Sequence, residues 1–427
     1  MKIPQRSRST LFITFSVFAS VWCSAAQAQE RPPGSDVDSL LIVAKDNNPE
    51  YAAIRFEADA ASERVAPAGN LPDPKFLTEL RDITRTGEQN ATLSPSRVSS
   101  TKYLLTQALP WYGKRDLKRE IAEFEAQGTQ GRARSTWAEI GARIKSVFAQ
   151  LYYVHRNERL TQEILDLIVR LEKIAQVRYA GGLSAQQDVI RAQVEQTSLR
   201  NELIALKSER RQLQARMNAL LSRPAEAVLA EPEHLRPVPV PAKLNYTVLE
   251  ERVRNNNPQL FTEEALIKSA EKNRDLTFKN RYPDFTVGVS PIQHQSSFDQ
   301  WELMVEVNIP LQQGSRRAQE RESEAMLSAA KARRDVTANQ VLAELSEYLA
   351  GIDAARHTED LVTNSLLPQA DLTFRAALAG YETGKVDFAT LLDAQRQIRQ
   401  ARKDQIKARS EMQIRLAQIE KLLGEDL

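Results

Sequence analysis

Long stretches of the chain place an apolar residue at every third or fourth position, with polar and charged residues between them. The clearest runs are Ile140, Ile144, Val147, Leu151 and Val154; Ile164, Leu167, Leu171 and Ile174; and Met412, Leu416, Ile419 and Leu423. This spacing puts the apolar side chains on one face of an α-helix and is typical of coiled-coil packing. We therefore predict a mainly α-helical protein with very long helices, bent near Gly128, Gly131 and Pro368.

Two shorter regions alternate apolar and polar residues instead, which is the pattern of a β-strand with two different faces. The alternation is strongest from Trp301 to Ile309. It predicts a β-hairpin at about 284–309, with residues 291–300 as its loop. A second hairpin is predicted at about 75–109, where the alternation is weaker. The protein should thus have a small β part of four strands.

The second half of the chain repeats the design of the first. A motif that begins with Tyr, has Gly three residues later and ends in Ala-Gln occurs at Tyr179–Gln193 and again at Tyr381–Gln395, an offset of 202 residues. A constant offset of this kind indicates an internal duplication. Because helical patterns flank each copy, we predict helical hairpins with tips at about 179–188 and 381–390. A left-handed glycine in each tip would end the helix before it.

The N-terminus has the layout of a secretory signal peptide. Three basic residues precede an apolar run at 11–22 that is too short for a membrane anchor of about 20 residues, and Ala26-Gln27-Ala28 follows it as a cleavage site. Cys23 is the only cysteine, and whether it is lipidated stays open, although bulky Trp22 disfavours a lipoprotein site. The predicted organisation is a signal peptide at 1–28, a first repeat at 29–223, a proline-rich connector at 224–244 and a second repeat at 245–427.

Charge and composition exclude several classes of function. The chain carries a net charge of +2, which falls to −1 once the three basic residues of the signal are removed. This near-neutral balance, without basic clusters, argues against a nucleic-acid partner. The four histidines are scattered, and no phosphate-binding loop or nucleophile motif is present. We therefore predict no catalytic site, no cofactor and no metal site, and a protein that is not an enzyme.

Four strands in one chain raise the question of how their edges are satisfied. Four strands cannot close a barrel, and open edges are not tolerated in lipid. Two chains would give eight strands with a filled interior, whereas three would give twelve and leave a lumen. On the fourth strand, Glu302 and Glu306 suit a wet interior and the opposite apolar face suits lipid. The alternative is a soluble sheet with one buried face.

The duplicated order of helix, hairpin, long helix, Tyr-x-x-Gly turn and helix resembles the TolC-like outer-membrane efflux proteins over about Asp36 to Leu423. The turns at Leu109–Arg115 and Ile309–Leu311, with short hairpin loops, are most similar to the cation-efflux branch of CzcC-like and CusC-like proteins. The resemblance implies a homotrimer with a twelve-stranded β-barrel in outer-membrane lipid, continued by an α-barrel across the periplasm. It also implies two partners, a periplasmic adaptor and an inner-membrane pump of the resistance–nodulation–division type.

The resemblance further implies roles for residues at the two tips, which form the periplasmic entrance in that family. Asp188 and Tyr381 match a pair that holds the entrance shut, and Asp393 matches one of two carboxylates that ring it. The chain departs from the family at Thr390, where the second acid is expected, and at Val386, where drug channels have arginine. How tightly the entrance closes therefore stays open. The segments that match adaptor contacts are Gly182, Leu183 and Ser184 in the first tip and Gly384, Lys385 and Val386 in the second.

A purely structural explanation is the alternative for these residues, and other functions are the alternatives for the whole chain. Asp188 and Asp393 would be solvated acids on a helix face, and Tyr381 would pack beneath its turn. For the whole chain we expect an export duct for metal cations. The alternatives are the same duct for drugs or for type I protein secretion, and a soluble periplasmic coiled-coil scaffold.

Overall fold

The computed structural model describes residues 33–83, 92–294 and 297–427. The predicted signal peptide, with Cys23, lies outside these ranges. The helices are α1 (Val37–Asn47), α2 (Pro49–Glu63), α3 (Val65–Ala68), α4 (Lys114–Ala180), α5 (Gln186–Leu220), α6 (Tyr246–Asn256), α7 (Pro258–Lys279), α8 (Gln313–Leu361), α9 (Leu367–Glu382) and α10 (Phe388–Leu423). The strands are β1 (Lys75–Arg81), β2 (Ser100–Leu109), β3 (Asp284–His294) and β4 (Ser297–Asn308). Within the described ranges, no helix combines the length and the apolar character needed to cross a membrane.

An asparagine followed by proline joins the start of one helix to the end of another in each repeat. Asn48 accepts a hydrogen bond from the amide of Tyr51 and so caps α2, while its Nδ2 donates to the carbonyl of Leu220 at 2.8 Å. Asn257 caps α7 and donates to the carbonyl of Leu422 at the same distance. Each side chain thereby satisfies free backbone groups at two helix ends at once.

The predicted long helices are present, but the two repeats build them differently. Helix α4 runs for 67 residues without interruption, which corresponds to about 100 Å. It stays helical through Gly131, where a Cβ atom would lie only 2.4 Å from Thr262 Oγ1, so this glycine permits the close approach of α7. In the second repeat a single π-helical turn at Val362–Leu366 separates α8 from α9. This interruption lies just before Pro368, where a bend is predicted. Pro368 has no amide hydrogen, so the α-helical hydrogen-bond ladder cannot continue regularly through it.

Three apolar clusters run along the helices and show which elements pack together. The cluster nearest the tips is shared by α4, α5, α9 and α10, and Phe388 lies fully buried in it. A second cluster packs α1 against α4 and α5 around Ile144. The third packs α6 against α8 and α10 around Leu345. The two helical hairpins therefore share a core at their tips and have separate cores farther along.

The four strands form one antiparallel sheet in the order β1-β2-β3-β4, so the hairpins of the two repeats join through β2 and β3. The prediction of a loop at 291–300 was wrong, because β3 continues to His294 and β4 begins at Ser297. Pro291 pairs with Trp301 of β4. On its other side the ladder skips the residues between Val289 and Ile292. The missing amide hydrogen of Pro291 therefore removes no pairing with β2, and the strand can continue through it.

A buried lysine fastens the sheet to the helices. Lys114, the first residue of α4, is 4% exposed and donates from Nζ to Asp284 Oδ1 at 2.8 Å. The amide of Trp111 donates to the same carboxylate oxygen, also at 2.8 Å. The Trp111 ring stacks on Tyr282 with centroids 5.1 Å apart. These contacts hold the start of β3 against the turn that leads into α4.

A second buried charge cluster joins the two repeats and the connector between them. Glu420 of α10 accepts hydrogen bonds from Lys145 of α4 at 2.7 Å and from Arg236 of the connector at 2.9 and 3.2 Å. Lys145 also contacts Asp426 near the C-terminus. Because Glu420 and Lys145 are almost completely buried, each depends on the other for charge compensation.

Candidate functional site

The first tip is a tight helix stop between α4 and α5. Gly182 has a φ of 69°, in the left-handed region. Its amide donates to the carbonyl of Tyr179 at 2.9 Å, and the amide of Leu183 donates to the carbonyl of Arg178 at 2.8 Å. These two bonds form a Schellman motif, which satisfies the last carbonyls of the helix.

The second tip, between α9 and α10, repeats this geometry. Gly384 has a φ of 77°, and its amide donates to the carbonyl of Tyr381 at 3.1 Å. The amide of Lys385 donates to the carbonyl of Gly380 at 2.8 Å. Val386 packs directly on Gly380, where a Cβ atom would lie 2.5 Å from Val386 Cγ2. The predicted left-handed glycines are confirmed in both tips.

The two tips differ in the side chains that they expose. The first tip presents an apolar surface, with Val177 74% and Leu183 70% exposed and Tyr179 also exposed. In the second tip Tyr381, the counterpart of Tyr179, is only 2% exposed. The duplicated motif therefore places one tyrosine at the surface and the other in the core.

Tyr381 packs beneath its turn, as one of the two predicted alternatives had it. Its ring lies 5.2 Å from the ring of Phe388. The hydroxyl is buried and makes no hydrogen bond of normal geometry among the described residues. Ser184 lies close to it but donates to the carbonyl of Ala175 instead, at 3.4 Å. Burial, and next the negative charge of Asp188, raise the pKa of the Tyr381 hydroxyl.

Asp188 lies half-buried in the first turn of α5, near Tyr381 but without a hydrogen bond to its hydroxyl. Burial is the main cause that raises the pKa of the Asp188 carboxyl. The charge of Asp387 raises it further, while Arg191 and Arg178 act in the opposite direction. The structure thus places Asp188 near enough to Tyr381 for its charge to act on the tyrosine hydroxyl.

Thr390 has a local partner that the sequence analysis did not identify. Asp387 is the N-cap of α10 and accepts hydrogen bonds from the Thr390 amide at 2.9 Å and from its hydroxyl at 2.5 Å. These bonds are the main reason that the pKa of Asp387 lies below its ordinary value. In the first tip Ala185 holds the equivalent position and makes no side-chain cap. An acid is therefore present in the second tip, three residues before Thr390. Its position directly before a helical pattern could have identified it as an N-cap from the sequence.

Asp393 is exposed one turn farther along α10. Its Oδ2 accepts a hydrogen bond from Gln397 at 3.0 Å. The neighbouring Arg396 reaches across to Glu195 of α5, which is buried. Asp393 is therefore exposed on the surface of the single chain, whereas Arg396 helps to join the two helical hairpins within that chain.

The family model of outer membrane efflux proteins matches residues 40–223 and 249–425, which together include both repeats. The chain belongs to this family. It is 24% identical over 386 residues to the cobalt-zinc-cadmium resistance protein CzcC of Cupriavidus metallidurans, which covers 86% of this chain and 84% of CzcC.

Solved channel structures have the same fold as this efflux protein. The outer membrane protein VceC from Vibrio cholerae superimposes with a TM-score of 0.78 at 16% identity, covering 93% of this chain and 100% of that one. CusC, whose structures describe transmembrane channel formation, gives a TM-score of 0.78 at 16% identity, with 91% and 92% coverage. The protein is thus an outer-membrane efflux protein with the TolC-like channel fold.

Arg178 is a tip residue of the efflux protein that the sequence analysis missed. It lies on α4 directly before Tyr179, and its Nη1 donates to the carbonyl of Glu382 in the other tip at 2.7 Å. Its guanidinium carbon lies 5.1 Å from the centre of the Tyr381 ring. A comparison of the two copies of the duplicated motif could have drawn attention to it, because the position equivalent to Arg178 in the second copy is Gly380.

The lumen candidates of the efflux protein lie on β4. Glu302 accepts a hydrogen bond from Lys102 of β2 at 2.6 Å, across the intervening strand β3. Glu306 pairs in register with Thr286 and is exposed. The apolar residues Trp301, Leu303 and Val305 alternate with these acids and are all more than 60% exposed.

Side chains that bind metals are not gathered into clusters in the part of the chain that the structure describes. In those ranges no group of three or more His, Cys, Asp or Glu residues is placed to hold a metal ion. Histidines form isolated pairs there: His155 lies 3.4 Å from Glu231, and His294 lies 2.7 Å from Asp299. Two ligands of this kind do not make a complete coordination sphere.

Proposed function

We propose that the protein is the outer-membrane duct of a tripartite system that exports metal cations, acting as a homotrimer without enzymatic activity or cofactor. It would receive cargo from an inner-membrane pump of the resistance–nodulation–division type through a periplasmic adaptor. The observation that carries the proposal is a sheet with two open edges and an exposed apolar face, attached to long helical hairpins. Similarity to CzcC over most of the chain supports metal cations as the cargo.

The open edges of the sheet support the trimer. In the chain as described, β1 and β4 each pair with one neighbour, which leaves one edge of each strand without a backbone partner. Exposed strand edges promote association with another chain, and lipid does not tolerate them. Three copies joined β1 to β4 give twelve strands, enough for a water-filled lumen.

The two faces of β4 then take different surroundings. The exposed apolar side chains of Trp301, Leu303 and Val305 would face lipid. Transfer of these side chains from water into lipid is favourable. Glu302 and Glu306 would face the lumen. Because Glu302 pairs with Lys102, its charge is largely compensated, and Glu306 would contribute more to the field inside the barrel.

The tips would form the periplasmic entrance. In this proposal Asp188, Tyr381 and Thr390 belong to the closing machinery, and three copies of Asp393 line the opening. The adaptor would contact both turns, with Gly182, Leu183 and Ser184 from the first and Gly384, Lys385 and Val386 from the second. The exposed Leu183 would supply most of the apolar contact, because burying a leucine side chain contributes about 2 kcal/mol.

A complementation experiment tests the cargo. The gene is expressed in a strain that has a cation-exporting pump and adaptor but lacks their outer-membrane channel, and growth is measured on zinc, cobalt and cadmium salts. Restored metal resistance, without restored drug resistance or protein secretion, is the expected result. Restored drug resistance or secretion alone would assign the duct to another cargo. A protein that remains soluble after cell breakage would instead support the scaffold alternative.

A further inference from the structure

We propose that Arg178 is a latch that holds the second helical tip against the first and thereby sets the closed state of the entrance. The proposal rests on the proposed channel function. The inference starts from one side chain that contacts both tips. It begins on α4, in the first hairpin, and ends on α9, in the second.

The guanidinium of Arg178 lies between two helix ends. Its Nη1 donates to the carbonyl of Glu382, the last residue of α9, at 2.7 Å. Its Nη2 lies 3.4 Å from the carbonyl of Leu183 in the first turn. Carbonyls at a helix C-terminus lack partners within the helix and carry the negative end of the helix dipole. The guanidinium therefore joins the turn that follows α4 to the C-terminus of α9, and its charge compensates the negative end of the α9 dipole.

The ring of Tyr381 provides a third contact. The Arg178 guanidinium lies 5.1 Å from its centre, within the range of a cation–π interaction. Gly384 lies directly beside the guanidinium, since a Cβ atom there would be in van der Waals contact with Arg178 Nη2 at 3.4 Å. Separation of the tips would therefore remove the Glu382 hydrogen bond and the ring contact together.

The latch is asymmetric within each chain. The position that duplicates Arg178 is Gly380, and Val386 packs directly on it. The second tip therefore has no equivalent cation to reach back to the first. Arginine suits the position better than lysine, because its planar fork can contact two carbonyls and a ring in one geometry.

The test compares Arg178→Met with Arg170→Met in the purified full-length protein in detergent. Arg170 is an exposed arginine two turns earlier on α4 and serves as the matched control. Hydrogen exchange of peptides covering residues 379–388 reports the latch without requiring current. Loss of a charge-assisted hydrogen bond and a cation–π contact should increase exchange at this tip by about tenfold. Arg170→Met should leave it unchanged. Unchanged exchange in Arg178→Met would overturn the latch.

Planar-bilayer recordings then connect the latch to the entrance. Arg178→Met should raise the ratio of open to closed time by about tenfold, and Arg178→Lys should give an intermediate value. Tyr381→Phe keeps the ring that Arg178 contacts and removes only the hydroxyl. Because Tyr381 also belongs to the proposed closing machinery, this variant tests the hydroxyl, and it should change the ratio of open to closed time less than Arg178→Met does. If Tyr381→Phe opens the entrance and Arg178→Met does not, the latch is wrong. If exchange responds but the wild type never conducts, the channel proposal fails while the contact between tips stands.

Discussion

Glu420 offers the sharpest test of what holds the two repeats together. It lies on α10 with 3% of its surface exposed, and its carboxylate accepts hydrogen bonds from Lys145 and Arg236. Glu420→Gln keeps the shape of the side chain but removes the charge. The buried Lys145 would then keep one acid, Asp426, whose side chain is 65% exposed, and the half-buried Arg236 would lose its carboxylate partner.

The size of the effect follows from burial. Removing one partner of a buried ion pair typically costs about 3–5 kcal/mol, and the remaining contact with Asp426 favours the lower end of this range. We therefore expect Glu420→Gln to lower the free energy of unfolding by about 3 kcal/mol. The matched control is Glu411→Gln on the same helix, where the carboxylate lies 3.7 Å from Lys407 and both side chains are exposed. Exposed pairs of this kind contribute less than about 1 kcal/mol.

Urea unfolding in detergent, followed by far-ultraviolet circular dichroism, measures both changes. Urea is uncharged and does not screen the ion pairs, as guanidinium chloride would. The double variant Glu420→Met with Lys145→Met should recover part of the loss, since it leaves neither of those two charges behind. Equal shifts of the unfolding midpoint for Glu420→Gln and Glu411→Gln would refute the reasoning.

Three further predictions concern the entrance and the sheet. Because the pKa of Asp188 is raised in the folded protein, its charged form destabilises the fold at neutral pH. At pH 7, Asp188→Asn should therefore unfold at a higher temperature than the wild type. This difference should disappear as the pH falls below the ordinary pKa range of aspartate, where the carboxyl is neutral in both the folded and the unfolded state. Thermal unfolding at several pH values measures this, and a difference that grows toward acidic pH would contradict it. Val305→Arg should make the free energy of barrel assembly less favourable by about 2–4 kcal/mol if the residue lies near mid-bilayer. Met304→Arg, on the other face, should assemble normally and change the conductance. Native gels that show the same amount of trimer for both variants would mean that the two faces are assigned wrongly. Asp393→Asn should abolish block of the current by divalent cations from the periplasmic side without affecting trimer assembly, and an unchanged block in bilayer recordings would make Asp393 an ordinary surface acid.

Residue patterns predicted most of the fold because secondary structure depends on local periodicity. The spacing from Ile140 to Val154 defined one face of α4, and the glycine at each tip indicated where a helix must stop. The extent of the β-hairpin at 284–309 was misjudged at Pro291. Proline usually ends a strand, and only the gap in the ladder beside β2 shows why this one does not.

The candidate site was predicted less completely, for a different physical reason. Asp188 and Tyr381 could be placed at the tips because they lie within the duplicated motif. Asp387 was missed although its capping role is local. Arg178 could not be assigned, because its partner carbonyl lies 204 positions away in the other repeat.

The sequence by itself determined the periodic faces of the helices, the alternation of β4 and the duplication, because each is written in residues close to one another along the chain. Tertiary structure alone decided which charges meet. Lys145 and Glu420 are separated by 275 positions, and nothing in either local segment indicates that they compensate each other in a buried site. An apolar pattern tells which face a helix buries, but a buried charge is stable only beside a particular partner, and that partner is chosen when the helices pack.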